Sequence, residues 1–149
     1  MSASSSGAPG KKPLPPISPR DRLVVFSLWL MVFAASSQVM IIAPILPRIG
    51  VALDIAEELQ GTLVTGYAVA LAVVALVVGP VSDRYGRRAV LLAGTGSLMV
   101  ALAMHALAVN YATMLGLRVL AGVGGGMLTG AAVSYVGDYF PYARRGWAN

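Results

Sequence analysis

The residues most able to do chemistry in this sequence are charged groups set among apolar ones. Residues 79–88 read Gly-Pro-Val-Ser-Asp-Arg-Tyr-Gly-Arg-Arg. Asp83 can cap the start of a following helix or pair with an arginine. Arg84, Arg87 and Arg88 suit lipid phosphates and helix C-termini. Gly79 permits close approach of a neighbouring backbone, and Gly86 permits a positive φ in a tight turn. Further on, Arg118 stands alone in an apolar run, followed by Gly122, Gly124, Gly125, Gly126 and Gly130. Of these, Gly122, Gly126 and Gly130 repeat every four residues and form one smooth helical face for close helix contact. Gly124 and Gly125 fall off that stripe, where they could thin the wall of a cavity. Such groups make ion pairs, hydrogen bonds and helix contacts. No nucleophile–base pair, metal-ligand cluster or phosphate loop occurs, so an enzyme, a metal and a cofactor are not expected. The absence of cysteine excludes disulfides, thiolate metal sites and cysteine catalysis.

The elements that must position these groups follow from composition. Of 149 residues, 57% are hydrophobic and 11% charged, against roughly 25% charged in an average soluble chain. Mean hydropathy is +0.76. So few charges cannot cover a soluble fold, and a disordered chain is equally excluded. A helix crossing a bilayer needs about 20 apolar residues. Uncharged runs at 23–47, 59–82, 89–117 and 119–137 meet that length. The last two leave no room for a turn between them. A break at Asn110-Tyr111 resolves this and places Arg118 inside the membrane.

Four spans are therefore expected, at about 23–46, 59–80, 89–109 and 112–136. Pro44 and Pro47 are expected to kink and then stop the first. Residues 1–20, rich in Ser, Gly and Pro, should form a disordered cytoplasmic tail. Lys11, Lys12, Arg20, Arg22, Arg84, Arg87, Arg88, Arg144 and Arg145 fall on one side of such a bundle. Arg48 lies on the other, beside Asp54, Glu57 and Glu58. The positive-inside rule then puts both termini in the cytoplasm of a multi-pass protein of the inner cell membrane. The basic residues flank apolar spans, so the expected partner is the lipid bilayer and not nucleic acid.

An arginine in hydrocarbon costs about 2.5–3.5 kcal/mol on insertion scales. Arg118 should therefore face a cavity or an acceptor, or else snorkel to the outer interface. From composition alone, residues 79–88 also fit an ordinary basic turn.

The spacing G-x-x-x-D-R-x-G-R-R between two membrane helices resembles the signature loop of the major facilitator superfamily, which joins transmembrane helices 2 and 3. Gly79, Asp83, Arg84, Gly86, Arg87 and Arg88 carry the match. Arg118, Gly122 and Gly124 resemble the family's R-x-x-x-G-x-G pattern in helix 4. Asp138, Pro141 and Arg144-Arg145-Gly146 resemble the end of that helix and the next loop in drug exporters. The resemblance implies an all-α, polytopic fold, here the first four helices of an N-terminal half. It implies secondary active transport of small molecules, a proton-coupled efflux by rocker-switch alternating access. Asp83, Arg84 and Arg87 would latch one side, and Arg118 would tune cavity groups. Asp138 would pair with Arg84 or Arg87, or else stay solvated. In the family, helices 1 and 4 line the cavity, which makes Gln38 a cavity candidate; Tyr67, in the second helix, is a weaker one. Gln38 equally fits an interhelical hydrogen bond. The first span lacks the acid that some drug–proton exporters place there, so the coupling proton has no assigned carrier. His105 reads as structural.

Family members have twelve or more helices in two halves. A chain of four is expected to be a fragment that does not transport by itself. Two other readings remain. A small four-helix exporter acting as a dimer would need a glutamate in the first span, and there is none. A four-helix membrane subunit or remnant without transport activity would bind other helices through the Gly122/Gly126/Gly130 face.

Overall fold

The computed structural model describes residues 17–139. Lys11, Lys12, Pro141, Arg144, Arg145 and Gly146 lie outside the described residues, as does most of the expected tail. Four helices follow one another: α1 (Pro19–Ala52), α2 (Glu57–Tyr85), α3 (Arg87–His105) and α4 (Tyr111–Tyr139). Each is long and apolar enough to cross a membrane.

Helix α1 starts four residues before the first apolar position because its cap is built into the sequence. Ser18 Oγ accepts from the Asp21 N–H at 3.1 Å, and Asp21 Oδ2 accepts from the Ser18 N–H at 2.9 Å. This reciprocal capping box, with Pro19 at the first helical position, makes residues 19 and 20 helix and not tail. The far end also differs from expectation. Pro44 and Pro47 lie inside α1, which runs on to Ala52. Each proline removes one backbone bond, but leaving the helix within a bilayer would orphan many more. The helix ends where Asp54 turns left-handed at φ +50°. There the Ile55 N–H reaches the Gly50 carbonyl at 2.8 Å, the six-to-one bond of a Schellman motif.

Helix α2 likewise runs through Pro80 and stops only at Gly86, whose φ of +89° suits glycine. That single residue joins α2 to α3. Residues 79–85 are thus the last turns of α2, and Asp83 does not cap α3. Helix α3 is shorter than expected, ending at His105. Helix α4 begins after Asn110, whose Oδ1 accepts from the Thr113 N–H at 2.9 Å, while Thr113 Oγ1 accepts from the Asn110 N–H at 3.2 Å.

Helix α4 is the hub. Half of its apolar window is buried, against 17% for α1 and α2. Its glycines face three neighbours. A Cβ on Gly126 would lie 2.6 Å from the Leu71 carbonyl oxygen and 2.8 Å from Val74 Cβ, and one on Gly122 would strike the Tyr67 carbonyl. A Cβ on Gly130 would clash with Val78. The 122/126/130 stripe is therefore the seat of α2 within this chain, which corrects the expectation that it awaits a foreign helix. Gly124 does the same for α3: its Cβ would lie 2.8 Å from both the Gly94 carbonyl oxygen and the Leu98 amide. Gly125 makes room for the Tyr67 hydroxyl. Gly124 and Gly125 thus seat neighbouring groups instead of thinning a cavity wall. A helix that is apolar on every side is one that neighbours surround.

Candidate functional site

The motif residues converge where α2 passes into α3. Asp83, in the last turns of α2, and Arg87, at the start of α3, are four apart across the Gly86 joint. Arg87 Nη2 donates to Asp83 Oδ1 at 2.9 Å. Arg87 Nε donates to Asp138 Oδ2 near the end of α4. One guanidinium therefore ties three helices, using two faces of its donor fork. The Arg87 side chain is only 19% exposed while both aspartates are 65% exposed. Its Nη1 is buried without a partner among the described residues.

The remaining signature residues are arranged around this node. Of the two arginines offered to Asp138 by the sequence, geometry takes Arg87. Arg84 instead sits over the ring of Tyr85, 5.7 Å from its centroid. Arg88 is exposed and lines a groove of about 360 Å³ with Arg87, Tyr135, Asp138 and Tyr139. Gly79 has no atom near its missing side chain, so no backbone approaches it among the described residues. At the same end, Tyr139 Oη donates to Asp21 Oδ1 at 3.2 Å and links α4 to the start of α1. Sequence reasoning missed Asp21, although the Ser-Pro-x-Asp spacing marks it as a capping acid.

Arg118 lies in α4 toward the opposite end. It is 5% exposed, and its Nε is buried without a hydrogen-bond partner among the described residues. The side chain is thus held among the helices at its Nε. Of the two helix 4 motif glycines, Gly122 admits α2 and Gly124 admits α3.

The two cavity candidates part ways. Gln38 is half-buried on α1. Tyr67 is 1% exposed, and its hydroxyl donates to the Ala35 carbonyl of α1 at 2.5 Å. With its ring on α2 and Gly125 of α4 beside the hydroxyl, Tyr67 clamps three helices rather than facing an open cavity. Tyr67→Phe should lower stability by about 1 kcal/mol, the worth of one interhelical hydrogen bond. The unfolding midpoint in detergent measures this; an unchanged midpoint would show that the bond carries no weight.

Comparison with known proteins extends these observations. The family model described as Major Facilitator Superfamily matches residues 28–149. The chain is 32% identical over 124 residues to the uncharacterized MFS-type transporter YwfA of Bacillus subtilis, covering 83% of this chain and 30% of that protein. It is 28% identical over 128 residues to the drug efflux pump JefA of Mycobacterium tuberculosis, covering 86% of this chain and 25% of the pump. It is 38% identical over 74 residues to the sugar carrier protein A of Ricinus communis, covering 50% of this chain and 14% of the carrier. The chain thus spans less than a third of the length of these curated relatives. Four spanning helices and relatives that are membrane transporters make this a multi-pass membrane protein. With the family model covering nearly every residue from the first helix onward, the chain belongs to the Major Facilitator Superfamily.

Proposed function

We propose that these helices form the first part of a secondary active transporter that exports small molecules in exchange for protons across the cell membrane. Arg87 carries the reading. A cation bonded at once to the ends of α2 and α4 from the start of α3 fixes the relative position of three helices at one end of the bundle. Ion pairs of this kind break and re-form as a carrier rocks, so they serve as a latch on one face. The positive-inside rule places that face, and both termini, in the cytoplasm. Export is favoured over uptake because the efflux-pump relative matches most of this chain and the sugar carrier only half of it.

Alternating access needs two bodies moving about a central site. Transport is accordingly assigned to a whole carrier in which these helices are covered by others. The surface of α1 suits such cover or lipid: Phe26, Trp29 and Phe33 stack along one exposed face. Gln38 belongs to the proposed substrate path, and Arg118 to coupling.

In the whole carrier, Asp83→Asn keeps the shape of the latch and removes its charge. About 1 kcal/mol is expected, the upper end for an exposed pair, which corresponds to a roughly fivefold change in rate. Substrate flux in proteoliposomes should fall by that factor with membrane insertion unchanged. Full flux would remove Asp83 from the latch.

A further inference from the structure

His105 closes α3 and takes no part in the transport reading. Its Nδ1 lies 2.5 Å from the Ala101 carbonyl oxygen. A carbonyl only accepts, so Nδ1 carries a proton, and in the neutral ring Nε2 is left with a lone pair. That Nε2 is buried and has no hydrogen-bond partner among the described residues. Arg118 presents the complement: an Nε–H donor that is equally buried and unpartnered.

The packing of α3 on α4 brings the two to one level. Gly94 faces Gly124 and Met127, and Ser97 Oγ donates to the Leu120 carbonyl at 3.3 Å. One further turn along these antiparallel helices sets Ala101 level with Arg118. Helical side chains lean back toward the N-terminus, and the Nδ1 bond holds the His105 ring over the Ala101 turn. Ala101 and Ala121, on the facing turns of α3 and α4, are both fully buried and small. The Tyr67 hydroxyl has already spent its proton on Ala35. No direct hydrogen bond joins His105 to Arg118. Two buried polar groups too far apart for a direct bond can share one bridging water that bonds to both.

We propose that His105 is a positioning residue for Arg118: its Nε2 lone pair accepts, through one bridging water, from the Arg118 guanidinium and fixes the aim of that buried cation. The consequence for transport rests on the reading of Arg118 given above. The pairing itself does not, and it is tested without transport.

The sequence has a single histidine, so nitrogen-15 histidine labelling of the full chain in lipid nanodiscs reports this ring alone. The spectrum should show the Nδ1-protonated neutral ring, with Nε2 displaced from the position of an unbonded ring nitrogen. In Arg118→Leu, Nε2 should return to the unbonded position while Nδ1 stays in place. A proton on Nε2 in the native chain, or an Nε2 signal that ignores Arg118→Leu, would overturn the pairing and leave the latch reading untouched. Should Arg118→Leu fail to fold, the Arg118 Nε–H signal carries the test. His105→Phe should shift it, and His105→Gln, which keeps an acceptor, should restore it. A signal unmoved by His105→Phe overturns the proposal.

Discussion

Arg118→Ala should cut proton-driven transport by the whole carrier at least tenfold while shifting the stability of the helices by no more than about 1 kcal/mol. The two halves of that expectation share one cause. Arg118, 5% exposed and with no direct protein partner for its Nε among the described residues, is a poor source of stability, because its desolvation is not offset by a full set of bonds. Removing it relieves that cost and leaves a small void, and the two oppose each other. An arginine kept for structure would show the reverse, with a large loss of stability on replacement. A charge held at such expense inside a membrane is kept to act on something. A coupling free energy of 1–3 kcal/mol between sites spans roughly five- to 150-fold, so a tenfold loss lies within its range. Flux driven by a pH gradient, set beside the unfolding midpoint in detergent, measures both quantities. Normal pH-driven flux would reject the coupling role. A collapse in stability would make Arg118 a structural residue.

Gly126→Leu should strongly destabilise the bundle. The position has the Leu71 carbonyl and the Ala75 amide of α2 within 3.1 Å of where a Cβ would stand. Backbone cannot swing away as a side chain can, so α2 must separate from α4. Overpacking costs 1–3 kcal/mol in ordinary cores and more where backbone is the obstacle, so about 3 kcal/mol is expected here. Gly137→Leu on the same helix is the control. A Cβ there meets nothing within 4 Å among the described residues, and a change within about 0.5 kcal/mol is expected. Thermal unfolding of both variants in one detergent compares them directly. Equal midpoints would mean that the α2–α4 contact is looser than described.

How far the sequence discloses this architecture depends on the kind of signal. The break before α4 is readable at Asn110 because Asn and Thr three apart make a reciprocal cap. The prolines of α1 and α2 mislead because the rule that proline ends a helix comes from chains in water. In a bilayer the helix persists, since its alternative is an unsatisfied backbone. The spacing of Asp83, Arg87 and Asp138 brings the right charges into view. Which arginine meets Asp138 depends on the single-residue joint at Gly86, whose geometry no residue count supplies. The glycines show the same boundary. A four-residue repeat reveals one smooth face, but Gly124 and Gly125 lie on other faces, and only the central place of α4 explains them. Tyr67 looks like a lone polar group in an apolar run. Its partner is a backbone carbonyl, which carries no mark in sequence.

On the proposed orientation, the Asp83–Arg87 joint lies on the cytoplasmic side of the membrane. The sequence has no cysteine, so one introduced thiol reports alone. Tyr85→Cys marks the joint and Ala56→Cys the opposite end, both at exposed positions. In intact cells a membrane-impermeant maleimide should label Ala56→Cys and spare Tyr85→Cys until the membrane is permeabilised. Labelling of Tyr85→Cys from outside, with Ala56→Cys protected, would contradict the account.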